Sequence, residues 1–352
     1  MEQIIDSTIL LRVRQIVVES YDTKTFIFEQ LNGERLSYQA GQFLTFLIDL
    51  HGHKIRRSYS MSSAPDVDAF PSVTIKRMPN GEVSRFWIDF VHEGEIFTVL
   101  PPSGRFTLEK PNGLSRDIIL IGAGSGITPL FSILKQTLVT DPESRVTLLY
   151  ANRNELSTLF MEQISDWQVR FPTRLHVIHI HSQPSDQWNG VRGRINNTRL
   201  EQMVKKAMYY PASQARFFIC GPFELMRSVE ITLHYLGFSK DQIRRENFVV
   251  SSTPAPPREQ STAYTIRLFF KNKEYQVYVP ANKTILQAAL DNGIHLPYSC
   301  KGGVCASCAG LCKSGSVHMT VNDVLTERDL KEGWILTCTA YPQEENVLIE
   351  IK

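Results

Sequence analysis

The position and spacing of its cysteines restrict this chain more than any other feature. Five of the six cysteines lie in the last quarter, where Cys300, Cys305 and Cys308 form a C-x4-C-x2-C segment and Cys338 follows later. The chain opens with Met-Glu-Gln-Ile rather than a basic signal sequence, so the clustering favours metal ligation in a reducing compartment over a disulfide framework. We therefore expect a cytoplasmic protein with one metal-bearing module.

The spacing of these cysteines predicts a plant-type [2Fe-2S] cluster with Cys300, Cys305, Cys308 and Cys338 as ligands. Each iron would complete its tetrahedron with two sulfides and two cysteine sulfurs. The alternative is a structural zinc site, but such sites usually pair two C-x2-C segments or add histidines, and the sequence shows neither pattern. The four-ligand pattern does not require Cys312, which we expect to be a small buried hydrophobic residue.

The domain organisation follows from length and from one proline-rich segment. A chain of 352 residues exceeds what one hydrophobic core usually supports. Residues 251–262 are rich in Ser, Thr and Pro, which predicts a semi-rigid linker. We place the domains at 1–110, 111–250 and 263–352.

The first two domains differ in their hydrophobic patterns. Residues up to 110 contain short alternating runs separated by Gly and Asn, which predicts an antiparallel β-barrel. Between 111 and 250, continuous apolar runs alternate with helical patterns, which predicts an α/β domain with a parallel sheet. Its expected strands are 117–121, 145–150, 175–180 and 215–220.

Two short segments of the first domain carry the residue types that hold a flavin. Arg57-Ser58-Tyr59-Ser60 offers a cation, an aromatic ring and hydroxyl groups, and Gly81-Glu82-Val83-Ser84 is followed by a helix expected to start at Arg85. A flavin needs an aromatic residue against its ring, a hydroxyl donor near N5, and a cation with backbone amides for its pyrophosphate. Each segment alone could instead be a strand arginine or a simple helix cap.

The second domain opens with a strand, a glycine-rich turn and a helix. The turn reads Gly122-Ala123-Gly124-Ser125-Gly126-Ile127-Thr128. This order lets backbone N–H groups approach a dinucleotide pyrophosphate. Gly126 comes one residue earlier than in G-x-G-x-x-G, which weakens the prediction of an ordinary dehydrogenase.

The motifs together resemble a known family. The motifs, followed by Cys220-Gly221-Pro222 and Glu246-Asn247-Phe248, occur in an order that resembles the ferredoxin–NADP reductase superfamily. With the C-terminal cysteine module added, the chain is similar to the oxygenase-reductase group of that superfamily. The resemblance implies a multidomain fold: an antiparallel β-barrel flavin domain, an α/β parallel-sheet nucleotide domain and an α+β ferredoxin-like β-grasp domain. It implies FAD, NADPH or NADH, and a [2Fe-2S] cluster as cofactors.

The resemblance also implies roles for single residues. Arg57 would face the flavin pyrophosphate, Tyr59 the isoalloxazine ring and Ser60 its N5. Ser60, Cys220 and Phe248 would lie at the reacting flavin and nicotinamide, although a buried strand-end cysteine remains the alternative for Cys220. The full set expected to contact cofactors is Arg57, Ser58, Tyr59, Ser60, Lys76, Gly81, Val83, Ser84, Gly122, Gly124, Gly126, Thr128, Arg153, Cys220, Gly221 and Pro222.

The function implied is electron transfer from NAD(P)H, through FAD and the cluster, to a separate oxygenase, epoxidase or desaturase, with the phenylacetyl-CoA epoxidase type favoured. Reductases of Rieske-type or steroid hydroxylases are alternatives, and a redox-sensing iron–sulfur binding module is an alternative from another class. Arg153 follows the second strand where NAD sites usually carry an acid, which favours NADPH. A net charge of +2 predicts no nucleic-acid partner, and the sequence predicts no membrane insertion. We expect a monomer or weak dimer.

Overall fold

The computed structural model describes residues 8–109, 113–248 and 262–351. These residues fall into two compact units, one ending at Arg245 and the other starting at Glu246. Most of the predicted linker, residues 251–261, lies outside the described residues, and the predicted domain boundaries stay predictions. In the described part of the chain, no helix has the length and apolar composition needed to span a lipid bilayer.

The first unit begins with a curled antiparallel sheet of six strands in the order β4-β3-β6-β1-β2-β5. Its two edges meet at a bridge between Met61 and Val73. Inside the sheet, the fully buried Trp87 of helix α1 stacks on Phe97 with ring centroids 4.4 Å apart. The elements are β1 Ile9–Ser20, β2 Thr23–Gln30, β3 Phe43–Leu50, β4 His53–Ser60, β5 Ser72–Lys76, α1 Glu82–Phe90 and β6 Ile96–Ser103.

The rest of the first unit is an α/β layer with a sheet in the order β10-β9-β8-β7-β11-β12. Four neighbouring pairs in this sheet are parallel: β10 with β9, β9 with β8, β8 with β7, and β7 with β11. This confirms the predicted α/β class. All four predicted strands are present, and three of them run one or two residues further than predicted. The elements are β7 Asp117–Ala123, α2 Ile127–Thr140, β8 Arg145–Asn152, α3 Met161–Arg170, β9 Leu175–His181, β10 Val191–Arg192, α4 Asn197–Ala207, β11 Ala215–Cys220, α5 Phe223–Tyr235 and β12 Ile243–Glu246.

The barrel and the α/β layer share part of their packing. Ala40 and Phe106 belong to the same buried cluster as the residues of α2 and β7. Two polar contacts add to this packing: Ser132 of α2 donates to the Ser63 carbonyl, and Lys135 of α2 forms a partly buried ion pair with Asp68. These contacts fix helix α2 against the loop that follows β4.

The second unit contains a mixed sheet in the order β14-β13-β19-β15-β17 and a small ladder of β16 with β18. Helix α6 packs on it and starts at a capping box between Thr284 and Gln287, which satisfies the first free N–H groups of the helix. The elements are β13 Tyr264–Phe270, β14 Lys273–Val279, α6 Ile285–Asp291, β15 Ala309–Ser314, β16 Val317–Met319, α7 Glu327–Lys331, β17 Trp334–Leu336, β18 Ala340–Pro342 and β19 Leu348–Ile351.

Candidate functional site

Tyr59 is the aromatic residue predicted to contact a flavin, and it lies near the end of β4. Its ring packs edge-on against Phe46 and Trp87, with centroids 6.0 and 6.2 Å away. Burial raises the pKa of the Tyr59 phenol, while the charge on Arg57 lowers it. Arg57 itself is exposed. Strand β4 therefore offers the uncharged ring of Tyr59, held in place by its neighbours, and, two residues earlier, the accessible positive charge of Arg57.

Three further predicted contacts lie close by on β4 and β5. The Ser58 hydroxyl is 2.8 Å from Thr45 Oγ1 on the neighbouring strand. Ser60 is buried, with 6% of its surface exposed. Lys76 ends β5, and its ammonium lies 3.4 Å from Asp22 Oδ2. The hydroxyl groups are held in place by the sheet, whereas Lys76 is already in an ion pair.

The G-x-x-S segment forms the first turn of α1. Gly81 is the N-cap and has no side-chain capping bond, so the first N–H groups of the helix stay open. Ser84 Oγ donates to the Gly81 carbonyl and accepts from Met78 N–H, both at 3.0 Å, and a Cβ on Gly81 would lie 2.4 Å from that oxygen. The helix begins at Glu82, so the predicted start at Arg85, with Ser84 as its cap, was wrong: the Ser84 side chain tightens the turn instead of capping it. Open amides at a helix start fit a phosphate group.

The glycine-rich turn and the Cys-Gly-Pro segment are brought together by sheet register. Gly122 of β7 pairs with Cys220 of β11. A Cβ on Gly126 would lie 2.2 Å from the Cys220 carbonyl oxygen, and one on Gly122 would lie 2.5 Å from Leu130 Cδ1. Only glycine therefore fits at Gly126, whereas a Cβ at Gly122 would push the Leu130 side chain aside. The backbone is left bare at the carboxyl edge of the sheet, where dinucleotides bind in this class of fold.

The turn is stabilised by a residue that sequence reasoning missed. Tyr150 of β8 is fully buried, and its hydroxyl donates to the Gly124 carbonyl at 3.1 Å. Gly124 has a φ of +54°, a conformation that glycine adopts without strain. The predicted contact Thr128 donates to the Ser125 carbonyl at 3.0 Å. These bonds keep the turn open for a ligand that approaches the backbone.

The other residues predicted to bind the nicotinamide nucleotide lie at the same edge of the parallel sheet. Cys220 is fully buried, as a structural cysteine at the end of a strand would be, and its place beside the nicotinamide stays a prediction. Gly221 follows it, and Pro222 is the N-cap of α5. Arg153 is exposed and donates from Nε to Gln183 Oε1 at 2.8 Å.

Phe248 closes the second described stretch of the chain and is 48% exposed. It is grouped with the C-terminal unit. Its predicted role at the flavin stays a prediction.

The four predicted cluster ligands approach one another in the second unit. Hydrogen-bonding interactions link Cys305 to Cys300, Cys300 to Cys338, and Cys338 to Cys308. The Gly302 N–H points at Cys300 Sγ at 3.3 Å, and bonds from the neighbouring thiols and amides lower the pKa of Cys300. Thiolates held by amide N–H groups are the donors that an iron–sulfur cluster uses.

The loop that carries three of these sulfurs has an unusual backbone. Lys301, Gly303 and Ala306 all have φ between +55° and +77°. A Cβ on Gly303 would lie 2.8 Å from the Val321 carbonyl oxygen. The loop thus folds tightly around the sulfurs, with a glycine where no side chain fits.

Among the described residues, no group of three or more His, Cys, Asp or Glu side chains is arranged to hold a single metal ion. The spacing of the four cysteines, with one C-x2-C pair and no added histidine, is that of plant-type [2Fe-2S] domains rather than of structural zinc sites. The four cysteines therefore fit a [2Fe-2S] group.

Cys312 differs from the four candidate ligands. It lies on β15, and its thiol interacts with the carbonyls of Ser314 and Gly315 at 3.5 Å. Burial raises its pKa. The side chain is half-buried rather than buried as predicted, because it packs at the edge of the hydrophobic cluster of the C-terminal unit.

Three family models match successive parts of the chain. They describe an oxidoreductase FAD-binding domain at residues 10–108, an oxidoreductase NAD-binding domain at 120–230 and a 2Fe-2S iron–sulfur cluster binding domain at 268–343. The three matches follow the order in which the motifs occur. They confirm the cofactor classes predicted from those motifs.

Relatives match over nearly the full length. The ferredoxin reductase component of 3-ketosteroid-9-alpha-monooxygenase from Rhodococcus rhodochrous is 35% identical, covering 97% of each chain. One of the subunits of 1,2-phenylacetyl-CoA epoxidase from Escherichia coli strain K12 is 31% identical, covering 97% of this chain and 96% of the relative.

Among solved structures, phthalate dioxygenase reductase is 25% identical with a TM-score of 0.60, covering 98% of both chains. An intact type IV self-sufficient cytochrome P450 monooxygenase matches with a TM-score of 0.73 at 19% identity, covering 97% of this chain and 41% of that chain. The chain belongs to the family of flavin- and [2Fe-2S]-dependent ferredoxin reductase components of oxygenases.

Proposed function

We propose that this chain oxidises NADPH, or NADH, and delivers single electrons to an oxygenase component, with an acceptor of the phenylacetyl-CoA epoxidase type favoured. The observation that carries the proposal is that one chain holds a glycine turn with accessible backbone, a strand with the residue types that bind a flavin, and four cysteines brought together in the C-terminal unit. When bound, FAD takes two electrons as hydride and gives them up singly, and a [2Fe-2S] cluster carries one electron at a time.

The residues of the chain supply binding and orientation. Arg57 and the open N–H groups of α1 would hold the flavin pyrophosphate, and Tyr59 would support the ring. The turn at Gly122–Gly126, held by Tyr150, would bind the nucleotide pyrophosphate. Cys300, Cys305, Cys308 and Cys338 would bind the two irons. Arg153 is exposed and follows the second strand of this domain, where NAD sites usually carry an acid, and it supports the preference for NADPH.

The acceptor is proposed from the relatives. Their names describe a ferredoxin reductase component of a steroid monooxygenase, one chain of an epoxidase, and the reductase of a glycine betaine monooxygenase. We expect the purified chain to reduce an oxygenase component of one of these classes faster than an unrelated ferredoxin. The predicted cytoplasmic location and monomeric or weakly dimeric state belong to this proposal.

The test is Cys305→Ser in the full-length protein, with Cys312→Ser as the matched control. We expect Cys305→Ser to lose the visible absorbance of the cluster and the reduction of cytochrome c, and to keep NAD(P)H-dependent reduction of ferricyanide by the flavin. Cys312→Ser should keep all three. Stopped-flow reduction with NADPH and with NADH measures the nucleotide preference in the same preparation.

Two results would contradict the proposal. Loss of ferricyanide reduction in Cys305→Ser would show that flavin and cluster are not separate centres. A wild-type protein that binds both redox groups but turns over with neither nucleotide would favour the sensing alternative.

A further inference from the structure

Two side chains of helix α2 attach that helix to the loop between β4 and β5. The fully buried Ser132 donates from its hydroxyl to the Ser63 carbonyl. Three residues further along the helix, Lys135 forms the partly buried ion pair with Asp68 of the same loop. Residues that are three positions apart are neighbours on the surface of a helix, so both contacts come from one face of α2.

The two acceptors on the loop are themselves held in place. The Ser63 hydroxyl accepts from the Tyr38 hydroxyl and from the Ser72 N–H, both at 2.8 Å, and Ser63 is 1% exposed. The Asp68 carboxylate also accepts from the Ala64 N–H at 2.6 Å. Helix α2 is therefore attached to an ordered part of the loop.

This loop continues directly from the predicted flavin contacts on β4. Ser63 is three residues after Ser60, which is predicted to lie at N5 of the flavin. Between them, the N–H groups of Met61 and Ser62 each donate to a backbone carbonyl outside the segment at 2.9 Å. Ser60 and Ser63 therefore belong to one short segment that hydrogen bonds fix along its length, and a displacement of Ser63 is passed to Ser60.

The N-terminal end of helix α2 follows the glycine-rich turn. The helix begins at Ile127, directly after that turn, and Ser132 lies about 8 Å further along the helix axis. Thr128 in the first turn of the helix donates to the Ser125 carbonyl at 3.0 Å, which ties the glycine turn to the helix. The bond from Ser132 to Ser63 therefore joins the part of the chain with predicted nucleotide contacts to the segment with predicted flavin contacts.

The Ser132 hydroxyl differs from the Thr137 hydroxyl of the same helix. A serine or threonine inside a helix often bonds the carbonyl four residues before it, and Thr137 does so with Ile133 at 2.7 Å. Ser132 instead uses its proton outside the helix. The apolar cluster around Phe106 already holds the barrel to the α/β layer, but apolar contacts have no direction, whereas a hydrogen bond fixes a distance and an angle. The Ser132 bond therefore defines where α2 lies on the barrel.

We propose that Ser132 is a positioning residue for hydride transfer, which sets the distance between the flavin site on β4 and the nucleotide site at the glycine turn. This rests on the proposed function. Hydride transfer breaks a C–H bond at C4 of the nicotinamide and forms an N–H bond at N5 of the flavin, and the electron pair moves with the hydrogen. The rate depends steeply on the separation of those two atoms. Ser132 acts on this separation through its bond to the Ser63 carbonyl.

The first test compares Ser132→Ala with Thr137→Val in the full-length protein. Each variant removes one buried hydroxyl from α2, but only Ser132→Ala removes a bond to the barrel. We expect reduction of the flavin by the preferred nucleotide at saturating concentration, followed by stopped-flow absorbance, to slow about 10-fold in Ser132→Ala. It should stay at the wild-type rate in Thr137→Val. The flavin content and the Kd of the oxidised nucleotide should be unchanged in both variants, because neither hydroxyl is a predicted ligand contact.

The second test measures the geometry of the site without turnover. An oxidised nicotinamide stacked on a reduced flavin gives a long-wavelength charge-transfer absorbance band, whose intensity depends on the overlap of the two rings. The band is recorded after NADP⁺ or NAD⁺ is added to protein reduced with dithionite. We expect it to weaken in Ser132→Ala at full nucleotide occupancy and to keep its wild-type intensity in Thr137→Val.

Three results would overturn the role of Ser132 alone. The first is a wild-type rate and a wild-type band in Ser132→Ala. The second is an equal slowing in Thr137→Val, which would trace the effect to the loss of any buried hydrogen bond in α2. The third is weaker nucleotide binding in Ser132→Ala with an unchanged rate at saturation, which would assign the residue to binding. A wild-type protein whose flavin is reduced by neither nucleotide would overturn the proposed function as well.

Discussion

Thr337 links two of the four cysteines of the candidate cluster by hydrogen bonds. It is fully buried and precedes Cys338. Both its N–H and its hydroxyl donate to the Cys308 carbonyl, at 3.1 and 3.0 Å, and its own carbonyl accepts from Leu286 N–H at 3.0 Å. One residue thereby holds Cys308 beside Cys338, the ligand that lies far along the chain from the other three, and ties both to helix α6.

Thr337→Val removes the hydroxyl bond and keeps the shape of the side chain. We expect it to cost about 1 kcal/mol of unfolding free energy in the C-terminal unit, and to speed the loss of cluster absorbance when a chelator is added. The cost is limited because the backbone bond to Cys308 survives. Thr337→Ser keeps the hydroxyl and should lose its cluster at the wild-type rate. Equal rates for the valine variant and the wild type would contradict this assignment.

Strand β9 carries two histidines on one face. The His179 and His181 ring centroids are 6.2 Å apart, and Trp188 lies 4.1 Å from His181. The buried Nδ1 atoms of both have no hydrogen-bond partner among the described residues. Burial and the neighbouring His181 lower the pKa of His179 to about 4. In the folded protein the side chains of His179 and His181 are therefore favoured in their neutral form.

This predicts a pH dependence of stability. In the unfolded chain His179 takes up its proton near its ordinary pKa of 6.5, so its contribution to stability is complete above that pH and is lost as the pH falls towards 4. The full difference in pKa corresponds to roughly 3 kcal/mol, and partial exposure reduces our expectation to about 2 kcal/mol. Urea unfolding of His179→Gln between pH 7 and pH 4 should show a flatter profile than the wild type. His176→Gln, at an exposed position of the same strand, should follow the wild type, and parallel profiles for all three proteins would contradict the prediction.

Sequence patterns predicted the elements whose structure is determined by the residues within the element itself. Continuous apolar runs predicted the parallel strands because both faces of such a sheet are buried. The glycine spacing predicted the nucleotide turn because close backbone approach requires glycine, and the cysteine spacing predicted the cluster loop because the irons require thiolate ligands. The roles of these residues as cofactor ligands stay predictions that the geometry supports.

The supporting residues could not be predicted in the same way. Ser132 meets Ser63 only once α2 packs on the loop after β4, and Tyr150 reaches Gly124 only once β7 and β8 are paired. No local pattern distinguishes these hydroxyl residues from ordinary serines and tyrosines. The start of α1 was misplaced for a similar reason, since Ser84 forms its bonds to Gly81 and Met78 only in the folded turn.

For the whole molecule, sequence patterns predicted three domains, whereas the buried clusters predict two cooperative units. One cluster draws its members from residues 266–351. Another joins Ala40 and Phe106 of the barrel segment to α2 and the parallel sheet, and the Lys135–Asp68 ion pair lies beside it. The barrel and nucleotide layer cannot separate without exposing this shared core.

We therefore expect two calorimetric unfolding transitions for the holoprotein. NADP⁺ should raise the midpoint of one transition only, because a ligand stabilises the unit that binds it. Cys305→Ser should lower the midpoint of the other, because cluster binding contributes to the folding of the unit that holds the sulfurs. Cys312→Ser is the control and should leave both midpoints close to the wild type. Three transitions would mean that the barrel and the α/β layer unfold apart despite their shared core, and a single transition moved by both changes would mean that the cysteine module is not an independent folding unit.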